Sequence, residues 1–110
     1  MTEPRWFRDD DSFGVLDDHD EVIGRNLYRD VENPAGTKQR VFPGVFVHPD
    51  HRGVGLASQL VKHSIDISLD EGFRIVPICP YVAEWMREHD GGSYMQYRDE
   101  PGAEHFNESN

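Results

Sequence analysis

The hydrophobic positions of the chain change from a strand-like to a helical period near residue 55. Before that point, alternating and β-branched residues predict three strands, over 12–17, 21–31 and 39–47. Pro43 and Gly44 interrupt the third segment, which predicts a bulge or an unpaired edge at that position.

Two helices are predicted in the second half of the chain. Over 55–71, apolar and small residues recur every three or four positions, and the predicted inner face consists of Ala57, Leu60, Val61, Ser64, Ile65 and Ser68. Gly72 suits the left-handed residue that ends such a helix. An apolar strand is predicted over 73–80, followed by a helix over 80–89 with Pro80 in its first turn.

The resulting order is β-β-β-α-β-α, which predicts the α+β class with a mixed, mostly antiparallel sheet of about four strands and two main helices. The crossover through the long helix predicts that the last strand is parallel to a neighbour. The chain shows no repeat or linker, so we expect one domain over 1–98, and the polar, Gly-rich residues 99–110 are expected to form a disordered tail.

The composition restricts the partners and the compartment. With 21 acidic and 11 basic residues, the net charge is -10, so we expect no nucleic-acid binding, which needs clustered lysines and arginines. No run of 18 apolar residues and no secretory segment are found, and Cys79 is the only cysteine. We therefore expect a cytoplasmic protein without a membrane partner or a bound metal. Its acidity suits a high-salt cytoplasm or a cationic substrate.

The stretch VHPDHRGVGLASQL, residues 47–60, connects a predicted strand to the first helix through a turn with two glycines. Glycines let the backbone approach a ligand closely, with amide groups pointing outward. These amides, the unpaired N–H groups of a helix start and the Arg52 guanidinium would together bind an anion. A local cationic site on an anionic protein favours a phosphorylated ligand, although two glycines can also form a tight turn and nothing more.

The spacing Arg-x-x-Gly-x-Ala over residues 52–57 is neither a lysine-containing P-loop nor a G-x-G-x-x-G turn. It resembles the pyrophosphate-binding signature of the GNAT superfamily, the acyl-CoA-dependent N-acyltransferases. The resemblance implies that acetyl-CoA is the co-substrate. It also implies that coenzyme A contacts Val47, His51, Arg52, Gly53, Val54, Gly55, Leu56, Ala57, Ser58 and Pro77.

A second unusual stretch, IVPICPYV, spans residues 75–82. Pro77 cannot donate to a strand ladder, so a strand that parts from its neighbour there would leave backbone groups free to pair with a pantetheine arm. Cys79 follows at the start of the second helix, a position that favours a thiolate. Together with the glycine turn, this stretch resembles one branch of the superfamily, the small single-domain acetyltransferase-like proteins, over roughly residues 13–94.

The resemblance implies a V-shaped opening between the third and fourth strands and transfer of an acetyl group to an amine. It implies that Cys79 is catalytic and that a histidine lies three residues ahead of Val47, where this chain has Gly44. His48 could replace that histidine as the general base only if its side chain faces the cleft.

Two chemical routes stay open at this point. The amine attacks the thioester directly, with Cys79 or Tyr81 near the leaving sulfur, or Cys79 first accepts the acetyl group. The alternative function is a CoA- or acyl-CoA-binding protein without efficient turnover. A thiol-redox protein would need an external resolving thiol to act with Cys79.

Overall fold

The computed structural model describes residues 4–53 and 55–106. Two sheets, with strand orders β1-β2-β3-β6 and β4-β5-β7, are joined by two α-helices. The elements are β1 (Arg5–Arg8), β2 (Ser12–Leu16), β3 (Val22–Leu27), β4 (Arg29–Glu32), β5 (Lys38–Phe42), β6 (Val45–Val47), α1 (Leu56–Asp70), β7 (Arg74–Pro77) and α2 (Pro80–Glu88). The predicted α+β class and its two helices are confirmed, whereas the expected count of about four strands is corrected to seven within the residues that the structure describes.

The strand count differs because two predicted strands are each divided between the two sheets. The first divides at Tyr28, between β3 and β4, and the second divides at Pro43 and Gly44, between β5 and β6. The Leu27 N–H donates to the Gly44 carbonyl at 2.8 Å, which holds β6 beside β3, while β5 pairs with β4 and β7. Strand β1 was not predicted because its sequence, RWFR, has two apolar residues between two charges.

Helix α1 begins and ends one residue inside the predicted bounds of 55–71, because glycines stand at both of its ends. At its carboxyl end, the N–H groups of Gly72 and Phe73 donate to the carbonyls of Leu69 and Ser68, which is a Schellman motif. Gly72 has the left-handed φ of +86° that this motif needs. The buried residues of α1 are Leu56, Leu60, Val61, Ser64, Ile65 and Ser68, so Leu56 takes the place predicted for Ala57.

Strand β7 runs parallel to β5, with Phe42 opposite Pro77, which confirms the predicted crossover. Both helices contribute to one core cluster, and the Trp85 indole N–H on α2 donates to the Ser58 hydroxyl on α1 at 2.9 Å. This bond fixes the start of α1 against α2. Within the described residues, neither helix is long and apolar enough to span a membrane.

Residues 99–106, expected to be disordered, pack against the second sheet instead. The Asp99 carboxylate accepts from Gln39 Nε2 at 2.8 Å and from Arg74 Nε at 2.9 Å. His105 is 3% exposed, and its Nε2 lies 3.0 Å from Gln39 Oε1. A polar segment can be ordered by buried polar partners, and composition alone does not show this. The rest of the expected tail, residues 107–110, lies outside the described residues.

Arg40 on β5 brings a positive charge into the core, where it is 1% exposed. Its Nε and Nη2 donate to the two Asp30 oxygens at 2.7 and 2.9 Å, and its Nη1 donates to Glu71 at 2.7 Å and to Ser68 at 3.1 Å. The guanidinium also lies 4.0 Å from the centre of the Phe73 ring. Burial lowers the pKa of Arg40, but the hydrogen bonds to the two carboxylates outweigh it, so the pKa is raised.

Replacing Arg40 tests whether this buried cation joins the sheet to α1. We expect Arg40→Met to lower the free energy of unfolding by about 2 kcal/mol, because Asp30 loses its partner and Glu71 keeps only Arg8. Arg5→Met is the control, since Arg5 pairs with Asp20 at an exposed site and should contribute less than about 1 kcal/mol. Urea denaturation measures both. Equal effects of the two changes would contradict the assignment.

Glu71 gives the fold a specific sensitivity to acid. Hydrogen bonds from Arg8 and then Arg40 lower its pKa from 4.5 to about 2. The folded state therefore favours the ionised carboxylate, and its contribution to stability is complete above pH 4.5 and is lost as the pH falls towards 2. The stability difference between the wild type and Glu71→Gln should shrink over this interval. Glu88→Gln, at an exposed carboxylate of α2, should show no such trend in acid denaturation.

Candidate functional site

The turn before α1 needs its glycines for the backbone conformation. Gly53 and Gly55 have φ angles of +86° and +78°, in the left-handed region that other residues rarely adopt. A Cβ atom built on either glycine would meet nothing within 4 Å, so the backbone there faces open space. The turn is therefore both accessible and conformationally specialised. Val54, which was predicted to contact the coenzyme, lies outside the described residues.

The amino-terminal end of α1 presents unpaired backbone amides. Gly55 is the N-cap residue and supplies no side-chain hydrogen bond, and the first turn contains no acidic residue. The first N–H groups of a helix have no partner within the helix, and the dipole of a 15-residue helix adds partial positive charge there. Leu56, Ala57 and Ser58 carry these amides, which can bind an anion.

Arg52 adds a full positive charge beside the amides. Its Nε donates to the Val47 carbonyl at 3.2 Å, which fixes the base of the guanidinium against the end of β6. Across residues 4–53 and 55–106, Arg52 forms no ion pair, whereas Arg8, Arg25 and Arg40 each bind a carboxylate. Its terminal nitrogens are thus not neutralised by the acidic surface.

Strand β6 offers an open backbone edge next to this turn. It pairs on one side with β3, where Leu27 N–H donates to Gly44 and His48 N–H donates to Ile23. In an antiparallel pair the backbone groups of successive residues alternate in direction, so those of Val45 and Val47 face away from β3. β6 is an edge strand of its sheet, and these groups border the cleft.

The cleft opens where β6 diverges from β7. β5 stays paired with β7 as far as Phe42 and Pro77, and the Cys79 N–H donates to the Phe42 carbonyl at 2.9 Å. Beyond that bond, the chain turns at Pro43–Gly44 and follows β3. The divergence therefore begins at the Pro43–Gly44 kink, rather than at Pro77 as the sequence had suggested.

Two adjoining cavities occupy the cleft, with volumes of about 180 and 300 Å³. The first lies at the turn and is lined by Val47, His51, Arg52, Gly53, Gly55, Leu56, Ala57, Ser58 and Tyr81. The second lies along the strand and is lined by Val45, Phe46, Val47, Arg52, Ala57 and Tyr81. The structure thus brings together most of the residues predicted to contact coenzyme A. Pro77, in contrast, is buried at the end of β7 and lines neither cavity.

Of the three predicted catalytic residues, Tyr81 alone lines these two cavities. Its side chain is 42% exposed at the start of α2. Burial, followed by electrostatic interactions with Glu88 and Cys79, raises the pKa of its hydroxyl. The Tyr81 hydroxyl therefore remains protonated near neutral pH and can donate a proton or a hydrogen bond.

Cys79 and His48 lie elsewhere. Cys79 is 8% exposed and belongs to the main core cluster, where its side chain packs with residues of both helices. The His48 side chain is exposed, and its Nδ1 accepts from the Asp50 N–H at 3.2 Å, outside the cleft. The condition that His48 face the cleft is not met in this geometry.

Phe46 was missed by the sequence analysis, although it lines the second cavity and is 53% exposed. The alternation in VFV places its side chain on the sheet face opposite those of Val45 and Val47. The break at Pro43–Gly44 was the available signal, because an edge strand that follows such a break exposes side chains on both faces. In the described ranges, no group of three or more potential ligand residues could hold a metal ion.

A model of a known protein family matches most of this sequence. A family model described as GCN5-related N-acetyl-transferase matches residues 12–99. Comparison with curated proteins found no match.

Solved structures share the fold. A ribosomal-protein-alanine N-acetyltransferase from Brucella melitensis biovar Abortus 2308 is 25% identical with a TM-score of 0.55, and the match covers 74% of this chain and 60% of that one. A GCN5-like protein from Staphylococcus aureus is 18% identical with a TM-score of 0.65, covering 96% and 98%. An aminoglycoside acetyltransferase from an uncultured soil metagenomic sample, in complex with sisomicin, is 13% identical with a TM-score of 0.58, covering 84% and 60%.

The lengths of these relatives differ. This chain spans nearly the full length of the Staphylococcus aureus protein, but only 60% of each of the other two.

The left-handed turn can be tested through stability. We expect Gly55→Ala to lower the free energy of unfolding by about 1 kcal/mol, because a Cβ strains the backbone at φ +78°. Gly91→Ala is the matched control, since Gly91 also faces open space but has no positive φ. Thermal unfolding compares the two. A Gly55→Ala protein as stable as the control would show that the turn is not left-handed in solution.

Proposed function

Because the chain belongs to the GCN5-related N-acetyl-transferase family, we propose that it transfers the acetyl group of acetyl-CoA to an amine. The observation that carries this proposal is the turn at the start of α1, where two left-handed glycines expose uncapped helix amides beside the Arg52 guanidinium, which forms no ion pair among the described residues. This arrangement suits a diphosphate, since it offers several N–H donors and a net positive charge.

The residues at the glycine turn and along β6 are suited to bind coenzyme A as a co-substrate. Arg52 and the amides of the turn would hold the diphosphate at the first cavity. The backbone groups of Val45 and Val47 would pair with the amides of the pantetheine arm, as an added strand does. This order places the thioester near the closed end of the cleft, where the Phe42–Cys79 bond joins the second sheet to α2.

The geometry favours direct attack by the amine over an acetyl-cysteine intermediate. Cys79 is 8% exposed and lines neither cavity of the cleft, which disfavours a route through its sulfur. Tyr81 lines the cleft and keeps its proton, so its hydroxyl would protonate the departing thiolate of coenzyme A. The nitrogen–carbon bond would form as the carbon–sulfur bond breaks; the proton that the attacking nitrogen loses would return to the Tyr81 oxygen, through water, and free coenzyme A would leave with the proton that Tyr81 gave.

The amine must be neutral before it attacks. Tyr81, which lines the second cavity, keeps its proton near pH 7, and the residues that line this cavity include no histidine or carboxylate. We therefore assign the removal of the amine proton to solvent water that enters the cleft, rather than to His48.

The acceptor is assigned by charge alone. The net charge of -10 attracts cationic amines and favours them over neutral or anionic acceptors. The names of two solved relatives specify a ribosomal-protein alanine and an aminoglycoside, respectively. The shared fold therefore serves acceptors of very different size. A coenzyme A-binding protein without turnover is the second candidate. The positions of Cys79 and His48 outside the cleft favour it.

Binding is tested first. We expect acetyl-CoA and coenzyme A, but not NAD, to raise the melting temperature of the protein, since a ligand that binds only the folded state stabilises it. Arg52→Ala should weaken both coenzymes about tenfold by calorimetry, because the diphosphate loses a charged partner. Arg87→Ala, at an exposed arginine of α2, is the control and should bind normally. Wild-type protein that binds neither coenzyme would refute the proposal.

Turnover then separates the two candidates. A panel of amines, including polyamines, peptide N-termini and lysine side chains, is incubated with acetyl-CoA, and the released thiol is measured against acceptor-free hydrolysis. Acceleration by a cationic amine is expected for the transferase. Binding of acetyl-CoA without acceleration by any amine in the panel would favour the second candidate.

A further inference from the structure

His51 is an ionisable side chain at the glycine turn to which the proposed function gives no separate role. It lines the first cavity together with Arg52, and it is partly buried there. Its ring meets the His48 ring edge-on, with the two ring centroids 6.1 Å apart. Across residues 4–53 and 55–106, the His51 ring forms no hydrogen bond and no ion pair. Its ring nitrogens are therefore available to a ligand in the first cavity.

The backbone before the glycine turn holds His51 in place. A single turn of 3-10 helix spans Pro49–His51, and the His51 N–H donates to the His48 carbonyl at 2.8 Å. The next residue, Arg52, is fixed through its bond to the Val47 carbonyl at 3.2 Å. The His51 ring thus lies beside the cavity before a ligand arrives, which reduces the entropy lost when the ring binds one.

The side-chain charge of the first cavity depends on His51. The ionisable residues among those that line it are His51, Arg52 and Tyr81, and Tyr81 keeps its proton near neutral pH. The lining residues include no lysine and no carboxylate. A diphosphate carries a negative charge on each of its phosphates, whereas Arg52 supplies a single positive charge. A protonated His51 would supply the second, and both of its ring nitrogens would then be donors.

The charged neighbours of His51 act on it in both directions. Arg52 opposes a second positive charge, while Asp50 in the same turn favours it, although the Asp50 carboxylate lies nearer to His48, with Oδ2 3.7 Å from Nδ1. Asp17 approaches from the turn between β2 and β3. Backbone hydrogen bonds lower the pKa of Asp17, and His51 adds a smaller electrostatic contribution. A bound diphosphate would add further negative charge and favour the protonated ring.

We propose that His51 is a pH-dependent contact of the coenzyme diphosphate, whose protonated ring donates a hydrogen bond to a phosphate oxygen, so that the affinity for acetyl-CoA rises as the pH falls. The inference rests on the proposed function. Histidine is the side chain whose ordinary charge change falls between about pH 5 and 8. The proton comes from solvent when the coenzyme binds and returns to solvent when the coenzyme leaves.

The test compares the pH dependence of acetyl-CoA affinity in matched proteins. Calorimetry at about pH 6 and about pH 8 gives the ratio of the two affinities for each protein. We expect this ratio to be about fivefold larger for the wild type than for His51→Gln, which cannot become charged. The phosphate monoester of the coenzyme also titrates near pH 6, but it affects both proteins equally. His48→Gln is the control and should keep the wild-type ratio, because His48 lies outside the cleft.

A permanently charged variant tests the same point in the opposite direction. His51→Arg should bind acetyl-CoA at pH 8 about as tightly as the wild type does at pH 6, and its affinity ratio should match that of His51→Gln. Calorimetry near pH 7 in buffers of different ionisation enthalpy measures proton uptake on binding. The wild type should take up more protons than either variant at position 51. Melting temperatures at both pH values establish that each protein is folded.

The outcomes separate this inference from the proposed function. Equal affinity ratios and equal proton uptake in the wild type and His51→Gln overturn the role of His51 and leave coenzyme binding intact. If His48→Gln loses the pH dependence to the same extent, the effect belongs to the turn as a whole, and the role of His51 is again overturned. If the wild type binds neither coenzyme, the proposed function fails, and the assignment of His51 fails with it.

Discussion

The buried charge of Arg40 is the interaction on which the arrangement of the elements depends. One guanidinium reaches Asp30 on β4 and Glu71 at the end of α1, so it joins three segments that are distant in sequence. Arg8 on β1 binds the same Glu71 carboxylate through two bonds, which connects the first sheet to this cluster. Because the buried Arg40 needs Glu71 as a partner, the carboxyl end of α1 is held beside β5, and the direction of the helix follows from that contact.

The candidate site lies at the opposite end of that helix. Its accessible amides depend on the left-handed glycines, and its depth depends on the kink at Pro43–Gly44 that sends β6 to the other sheet. The Trp85–Ser58 bond then keeps the beginning of α1 against α2. The cleft is thus formed by the parting of the two sheets, and the contacts of Arg40 at the far end of α1 hold the helix in position.

Local signals in the sequence predicted the elements with strong periodicity or punctuation. Gly55, Gly72 and Pro80 marked the helix ends almost to the residue, since each conformation suits few other residues. The sequence did not show that the predicted strand over 21–31 is divided in two. The division at Tyr28 depends on pairing with segments that are distant in the chain. Residues of the glycine turn were brought together as predicted, whereas Cys79 and His48 were not, because the direction of a side chain is set by tertiary packing. The buried amide of Asn26 on β3, which has no hydrogen-bond partner among the described residues, gave no signal in the sequence because its burial exists only in the folded chain.

The open edge of β6 has a consequence for behaviour at high concentration. Two other edge strands, β1 and β4, carry charged residues that discourage pairing between molecules, and Arg98 and Asp99 bond along β7. β6, with the sequence VFV, has an exposed Phe46 and no charge of its own. Its short length and the preceding proline are its protection against intermolecular sheet formation. A molecule bound along this strand would also block the pairing of β6 with a second copy of the chain. Purification with such a molecule present should therefore keep the protein monodisperse.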